Sequence, residues 1–322
     1  MGFLSGFWHR MNYAAYRYYY TNARSLDHRV PIDVSLELSS QCNLACEYCY
    51  HSDPKKLPFA RGQMKFETAC KIIAESYAFA VNSLKFNWKG ESTMHPAFCK
   101  LTKMAKELAS GGTFIDRITN SNFKFDINRD DIFEGLSYQT KVKVSFDSFI
   151  PEVMEKQRRL SSHEKTMANI DKFYNWPGRN NTLVIQAVRT QLNKDEDLEG
   201  EVKKRWPSAK LSVRDMVSGR VQKNLDELEV KQRDLREREP CIQAYARLVF
   251  NHEGKAFPCC VDIGEKLCLG DINTHNIEQI FTSYTAKTLR SNLESRSAFV
   301  SDPCKTCSSF ESYKGYEPPR DS

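Results

Sequence analysis

Between Pro31 and about residue 213, segments in which polar and hydrophobic positions repeat every two residues alternate with segments of helical period. Residues 32–38 (IDVSLEL) alternate apolar and polar side chains, and this period of two predicts a β-strand. Residues 66–77 and 98–108 instead repeat apolar side chains at helical spacing, and Gly111-Gly112 follows the second helix. Further strands are predicted at 84–88, 114–119, 142–146, 183–188 and 210–213, and further helical stretches near 127–135, 151–175 and 195–205. This strand–helix alternation predicts an α/β fold with a parallel sheet.

Two segments do not follow this pattern. Residues 1–30 are rich in Tyr and Arg, a combination that can stack on nucleic-acid bases and bind phosphates. An amphipathic helix packed across the end of the sheet is the commoner use of such a segment, and we expect that here. Residues 221–240 carry dense mixed charge and end in Pro240, which indicates a solvent-facing linker or bridging helix.

Composition narrows the possible classes of protein. A chain of 322 residues, 40% of them hydrophobic, predicts one large domain and one smaller one. No run of about 18 apolar residues is present, and the N-terminus lacks the charged and apolar regions of a signal peptide. The eleven cysteines are clustered, which in a reducing compartment indicates metal binding rather than disulfides. We therefore expect a cytoplasmic protein with no membrane or nucleic-acid partner. The net charge of +6 permits a phosphate-bearing or acidic partner, but most such surpluses are only solvated surface.

Three cysteines directly follow the first predicted strand. Cys42, Cys46 and Cys49 are spaced C-x3-C-x2-C. A [4Fe–4S] cluster usually takes four thiolates, so three leave one iron open to a substrate or cofactor. The alternative is zinc, but structural zinc sites collect four ligands in paired C-x2-4-C units, and no such pair is adjacent. The spacing favours the iron–sulfur cluster.

With Tyr48 before its third cysteine, this triplet resembles the signature of the radical S-adenosylmethionine (SAM) superfamily. Residues 89–96 (KGESTMHP) resemble the "GGEP" segment of that family, with Lys89 in place of the first glycine and Ser92 in place of the proline. The resemblance implies a partial (β/α)6 TIM-like barrel in which the three cysteines hold a [4Fe–4S] cluster that binds SAM. It also implies that Gly90 allows close approach to the ligand and that Glu91 accepts a hydrogen bond from the SAM ammonium. His95 is interpreted as structural.

The resemblance also implies SAM or substrate contacts from the ends of later strands. Residues 119–122 (TNSN) and 144–148 (VSFDS) resemble two polar strand ends of the family. The implied SAM or substrate contacts are Asn120, Ser121, Ser145 and Asp147. Arg189, at the end of the next strand, could pair with a carboxylate. Each of these residues could equally cap a turn or form a salt bridge.

A second group of cysteines occupies the C-terminal quarter of the chain. A turn at Glu253-Gly254 predicts a hairpin that leads into one of them, and residues 269–272 (LGDI) predict a turn before a short helix. The arrangement resembles a truncated SPASM/twitch extension of radical SAM enzymes. That resemblance implies one auxiliary [4Fe–4S] cluster, suited to electron transfer, with the ligands Cys241, Cys259, Cys304 and Cys307. Four thiolates could also bind zinc.

Cys260 has three possible roles. It could replace Cys259 as a ligand, remain a buried thiol, or act as a catalytic hydrogen donor to a substrate radical. The last role would make the enzyme an epimerase, and Cys268 offers the same possibility from further away.

The resemblance implies a radical SAM oxidoreductase or epimerase-type enzyme that cleaves SAM reductively to a 5′-deoxyadenosyl radical. The radical would take hydrogen from a carbohydrate-like, small-molecule or peptide substrate in a dehydrogenation, epimerisation or cross-linking. A flavodoxin or ferredoxin would supply the electrons. The implied domains are an extension at 1–30, a barrel at 31–220, a linker at 221–240 and an auxiliary cluster domain at 241–322. The alternatives are a zinc-stabilised nucleic-acid-binding protein and a SAM-binding relative without catalysis.

Overall fold

One sheet runs through most of the chain in the computed structural model, which describes residues 14–109, 115–214, 240–297, 302–305 and 307. Its strand order is β6-β5-β4-β3-β2-β1-β7-β8-β9. The nine strands of these described ranges are β1 (Asp33–Leu36), β2 (Ser83–Phe86), β3 (Asp116–Ser121), β4 (Lys141–Ser145), β5 (Thr182–Val188), β6 (Lys210–Arg214), β7 (Arg247–Phe250), β8 (Lys255–Phe257) and β9 (Gly270–Asp271). Strands β1 to β6 pair in parallel in sequence order, and a helix lies in each connection between them.

The helices agree with most of the sequence-based expectations. In the described residues they are α1 (14–22), α2 (Phe66–Ala78), α3 (Phe98–Ala109), α4 (Asp130–Ser137), α5 (Pro151–Gln157), α6 (His163–Tyr174), α7 (Leu198–Arg205), α8 (Gln243–Ala246), α9 (Ile277–Phe281) and α10 (Tyr284–Glu294). The helical stretch expected near 151–175 divides into the two helices α5 and α6, because residues 158–162 are not helical. Leu160 lies there with a φ of 70°, in the left-handed region that a helix does not use.

The parallel α/β architecture expected from the sequence is confirmed, and the sheet order has two separate edges, as a partial barrel requires. The main core lies on the helix side of the sheet. Alternate residues of the strands fill it, such as Val34 and Leu36 in β1 and Val142 and Val144 in β4, all fully buried. The intervening residues of each strand therefore point to the opposite face.

The C-terminal segment joins the same sheet. β7 pairs in parallel with β1, with Asp33 opposite Arg247, and β8 and β9 follow as antiparallel strands. The expected hairpin is present, and Gly254 adopts a φ of 90° in its turn. The expected short helix is α9, which a capping box begins at Asn276.

The two unusual segments have different outcomes. Tyr20 of α1 packs in a second cluster of buried residues with Ile32, Ala246 and Leu293. The N-terminal helix thus covers the amino ends of β1 and β7, in agreement with the expected packing across the end of the sheet. The charged linker expected at 221–240 lies outside the described residues, apart from Pro240. None of the helices in the described part of the chain is long and apolar enough to cross a bilayer.

Candidate functional site

The cysteine triplet lies in a loop at the carboxyl end of β1. Cys46 is buried, and Cys42 and Cys49 are half-buried. The segment between α5 and α6 holds this loop in place: the Ala45 N–H donates to the carbonyl of Arg159 at 3.0 Å. The Glu47 N–H donates to the carbonyl of Gln157 at 2.9 Å. The break in the expected helix therefore provides the carbonyl groups that fix the cysteine loop.

Two N–H donors point at the sulfur atoms of the triplet. Asn122 Nδ2 lies 3.8 Å from Cys42 Sγ, and Arg158 Nη1 lies 3.9 Å from Cys46 Sγ. Such donors stabilise negative charge on sulfur, so they suit thiolates better than thiols. They match the hydrogen bonding that tunes the sulfur ligands of iron–sulfur clusters.

The pKa values of these thiols indicate that they ionise only beside a positive charge. Burial, and then the charge of Glu91, raises the pKa of Cys42 to about 12. Burial also raises the pKa of Cys46 to about 11, although Arg158 opposes it. Both thiols would be protonated at neutral pH without a positively charged partner, and bound iron provides that charge. The three cysteines and their donors therefore fit an iron–sulfur cluster.

No three His, Cys, Asp or Glu side chains in the described ranges lie close enough to share one metal ion. A [4Fe–4S] cluster gives each thiolate its own iron, so its ligands do not need to meet at one point.

Asp147 connects the cysteine loop to β4 and β5. Its buried carboxylate accepts hydrogen bonds from Tyr48 Oη, from Arg158 Nη2 at 2.8 Å and from the N–H of Val188 at 2.9 Å. Burial raises the pKa of Tyr48 well above its ordinary value, so the phenol remains a donor. Asp147, expected as a SAM or substrate contact, is thus occupied in positioning the loop.

Gly90 and Glu91 lie directly beside the same loop. A Cβ at Gly90 would be 2.3 Å from the carbonyl oxygen of Ser39 and 2.4 Å from that of Gln41. The close approach expected at Gly90 is therefore to the backbone that leads into Cys42. The Glu91 N–H donates to the carbonyl of Gln41 at 2.8 Å and completes this junction.

The Glu91 carboxylate already has protein donors. Its Oε1 accepts from the Thr93 hydroxyl at 2.7 Å, and its Oε2 accepts from the Asn122 N–H at 2.8 Å. Burial raises its pKa despite these bonds. The Thr93 N–H at 3.2 Å and the Ser121 hydroxyl are further donors, so both carboxylate oxygens are already hydrogen-bonded by the protein.

The two departures from the family segment have structural roles. Lys89 is fully buried, and its Nζ pairs with Glu265 of the C-terminal segment and lies 3.5 Å from Glu37 Oε2. The Ser92 hydroxyl donates to the carbonyl of Phe86 at 2.7 Å, at the end of β2. His95 is structural, as expected, because its ring contacts the carbonyl of Met64 and the N–H of Ala97.

The other expected contacts divide into two groups. Asn120 and Ser145 lie on the sheet face opposite the core, and Asn120 Oδ1 is buried with no hydrogen-bond partner in the described chain. The same is true of Asn87 Oδ1, directly after β2. Ser121 instead accepts from the N–H of Phe123, and Arg189 donates to the carbonyls of Asn193 and Lys194. The unpaired amide oxygens of Asn87 and Asn120 suit a ligand at the carboxyl ends of β2 and β3.

The second cysteine group gathers around Cys241. Burial, and then the charges of Cys307 and Cys304, raises the pKa of Cys241 to about 12. Burial, then Cys260 and Cys241, raises the pKa of Cys259 well above its ordinary value. These effects place Cys241 within electrostatic reach of Cys259, Cys304 and Cys307.

Cys260 contacts residues of the sheet as well as lying beside Cys259. Its Sγ is 3.4 Å from Arg247 Nη1 and 3.9 Å from Gln243 Oε1, and its carbonyl accepts from Trp88 Nε1 at 3.0 Å. Cys268 is exposed, and its Sγ donates to the carbonyl of Gly270 at 3.6 Å.

Sequence reasoning missed Asn122 and Arg158, the two donors to the cysteine sulfurs. Asn122 stands in the same polar strand end (TNSN) that indicated Asn120 and Ser121, so the pattern could have included it. Arg158 had no signal, because its segment was interpreted as the middle of a helix.

Comparison with known proteins agrees with this geometry. The model of the SPASM family, described as an iron–sulfur cluster-binding domain, matches residues 241–308. The sporulation killing factor maturation protein SkfB of Bacillus subtilis is 26% identical over 176 residues, which cover 53% of this chain and 39% of that protein. The chain spans about half or less of the length of the curated relatives that it matches.

Solved structures share the fold. BtrN, in complex with AdoMet and 2-DOIA, is 17% identical, and the match covers 88% of this chain and 94% of BtrN with a TM-score of 0.57. SuiB of Streptococcus suis, bound to the precursor peptide SuiA, is 14% identical, with 86% and 70% coverage and a TM-score of 0.64. The matched region is a C-terminal SPASM-type iron–sulfur domain, and the cysteine loop, the sheet and these relatives together support a radical SAM protein.

Proposed function

We propose that this protein is a radical SAM enzyme that takes a hydrogen atom from a substrate bound against the open face of its sheet. The observation that carries the proposal is the buried three-thiol loop at the carboxyl end of β1, with donors aimed at two of its sulfurs. When bound there, a [4Fe–4S] cluster and SAM supply reductive cleavage of the sulfonium and the 5′-deoxyadenosyl radical.

The roles of the surrounding residues follow from their contacts. Cys42, Cys46 and Cys49 would hold the cluster, and the Arg158 and Asn122 donors would set its reduction potential. Glu91 would accept a hydrogen bond from the SAM ammonium in place of one of its protein donors. Asn120, and also Ser145 and Asn87, would face the cofactor or substrate.

The auxiliary site would move electrons. Cys241, Cys259, Cys304 and Cys307 would complete a cluster with no open iron, which suits electron transfer rather than substrate ligation. The likeness to BtrN with 2-DOIA supports a small-molecule substrate, and the likeness to SuiB with SuiA supports a peptide. Dehydrogenation, epimerisation and cross-linking are each compatible with this arrangement, and flavodoxin or ferredoxin is the proposed electron donor.

The first experiment removes the open-iron cluster. Cys46→Ala should lower the iron content of anaerobically reconstituted protein from about eight to about four per chain. It should also abolish formation of 5′-deoxyadenosine from SAM with dithionite. Cys99→Ala is the matched control, because Cys99 is a half-buried thiol of α3. Colourless wild-type protein with zinc alone, or SAM cleavage by Cys46→Ala, would contradict the proposal.

The second experiment separates the two clusters. Cys304→Ala and Cys307→Ala should each lose about four irons and still form 5′-deoxyadenosine, since neither thiol belongs to the β1 loop. If these variants fold and lose SAM cleavage as completely as Cys46→Ala, the two sites do not have separate roles.

A further inference from the structure

Trp88, just after the carboxyl end of β2, contacts the C-terminal segment on both sides of an expected auxiliary ligand. Its ring packs against the ring of Phe257 in β8, with the ring centroids 5.4 Å apart. Its Nε1 donates to the carbonyl of Cys260 at 3.0 Å. Because Cys259 lies between these two contacts in sequence, Trp88 holds the backbone around that ligand.

Lys89 makes a second contact with the same segment. Its buried Nζ pairs with Glu265, which lies in the loop that follows Cys260. The other oxygen of this carboxylate accepts from Asn251 Nδ2 at 3.0 Å. The Lys89 ammonium also lies over the Trp88 ring, 4.1 Å from its centroid. Trp88 and Lys89 therefore act as one unit, which we call the anchor.

The anchor also reaches the segment that leads into the cysteine triplet. Glu37, directly after β1, lies 3.5 Å from Lys89 Nζ and accepts from the Lys89 N–H at 3.1 Å. It also accepts from the N–H of His252 at 3.4 Å. The nearby carboxylate of Asp262 is bound by two backbone N–H groups of its own loop. One ammonium thus joins Glu37, before the triplet, to Glu265, after the auxiliary ligand.

The identity of residue 89 makes this link possible. A glycine, which the family segment carries there, would have no side chain to reach Glu265. Lys89 directly precedes Gly90, whose backbone packs against the carbonyls of Ser39 and Gln41. The link therefore runs from the auxiliary segment to the backbone that leads into the cysteine loop.

We propose that Trp88 and Lys89 are positioning residues that fix the auxiliary cluster relative to the SAM site. The proposal rests on the proposed function, because it concerns the geometry between the two clusters. Electron transfer between a substrate radical and the auxiliary cluster depends on the distance between them, and the anchor would hold that distance constant. The partners of Trp88 Nε1 and Glu265 lie outside the cysteine loop, so SAM cleavage should not depend on these contacts.

The test compares three single variants with the wild type, all reconstituted anaerobically. Glu265→Gln removes the charge with which Lys89 pairs. Trp88→Phe removes an N–H donor and keeps an aromatic ring. Glu253→Gln is the matched control, because it makes the same chemical change in an exposed pair with Lys255 of the same C-terminal segment. Circular dichroism of each variant establishes that the fold is intact.

Pulsed EPR of the dithionite-reduced proteins measures the distance between the two clusters, which a loss of overall stability alone would not change. The wild type and Glu253→Gln should give one narrow distance distribution, and Glu265→Gln and Trp88→Phe a broader or shifted one. All three variants should form 5′-deoxyadenosine at the wild-type level. Unchanged distances in both anchor variants, or a loss of SAM cleavage as complete as that of Cys46→Ala, would overturn the inference.

Hydrogen exchange of residues 259–267 is a second readout, and it needs no cluster. Exchange should be faster in the two anchor variants and unchanged in the control, since the broken contacts hold this loop. Faster exchange with an unchanged distance between the clusters would leave the contacts a stabilising role only and would overturn the positioning role. The expected exchange in a protein that binds no iron would refute the proposed chemistry alone. SAM cleavage with unchanged distance and exchange would refute the anchor alone.

Discussion

Gly90→Ala tests whether backbone contact at this glycine holds the cysteine loop in place. The added Cβ would meet three backbone atoms: Ser39 O at 2.3 Å, Gln41 O at 2.4 Å and Ser40 C at 2.6 Å. Contacts under 3.0 Å force displacement, and backbone atoms cannot move aside as the end of a flexible side chain can. The first carbonyl alone must move by about 0.7 Å.

The expected cost follows from this geometry. Overpacking of a close-packed site costs about 1–3 kcal/mol. Displacement of Gln41 also weakens the hydrogen bond that its carbonyl accepts from the Glu91 N–H at 2.8 Å. Such a bond contributes about 1 kcal/mol. The sum of about 2–4 kcal/mol corresponds to roughly a 30- to 1,000-fold change in the unfolding equilibrium. Because the displaced atoms lead directly into Cys42, iron retention should fall as well.

The assay is chemical unfolding of the metal-free protein, followed by iron analysis after reconstitution. Gly264→Ala is the control: a Cβ there has only ordinary contacts, the nearest being 3.7 Å from the Lys266 side chain. It should change the free energy of unfolding by no more than about 0.5 kcal/mol. If Gly90→Ala unfolds like the wild type and retains all its iron, the close backbone approach does not constrain the loop.

Three further predictions concern buried charge and the cluster loop. Lys89→Met should destabilise the protein by about 3–5 kcal/mol in denaturant unfolding, because it leaves Glu265 without its buried cation; a loss below about 1 kcal/mol would contradict this. Burial alone would raise the pKa of Asp33, but its two cations hold that pKa below its ordinary value of 3.8. The stability that Asp33 contributes is therefore present above about pH 4 and is lost as the pH falls further. Asp33→Asn should therefore be less stable at pH 7 and lose less stability on acidification, and an unchanged acid unfolding curve would disprove the pairing. Asn122→Ala should weaken iron retention about 10–100-fold under chelator challenge, whereas full retention would show that the contact with Cys42 has no effect.

The expectations from periodicity were confirmed wherever local pattern decides structure. The six parallel strands and the hairpin before Cys259 were predictable because alternation in a strand and glycine in a turn are local signals. The interruption of the helical stretch expected near 151–175 was not predicted, because no Gly or Pro marks it. Contacts from Ala45 and Glu47, more than 100 residues earlier, stabilise that break.

The candidate site was likewise predictable only where its residues are close in sequence. The cysteine spacing predicted which thiols belong together, since a ligand loop is contiguous in sequence. The donors to those thiols, Asn122 and Arg158, come from other loops, and only the folded chain brings them to the sulfurs. Lys89 was interpreted as a departure from a family segment, and the structure pairs it with Glu265 across 176 residues.

The sequence by itself determined the strand–helix order, the two groups of cysteines and the resemblance to the superfamily, because each depends on spacing along the chain. The tertiary structure decided which polar residues hold the loop and which remain open to a ligand. Asp147 and Glu91 look equivalent as strand-end carboxylates, yet Asp147 accepts from Tyr48 and Arg158 around the cysteine loop, whereas Glu91 accepts from Thr93 and Asn122. The joining of β7 to β1 depends on residues more than 200 positions apart, and no local pattern records such pairing.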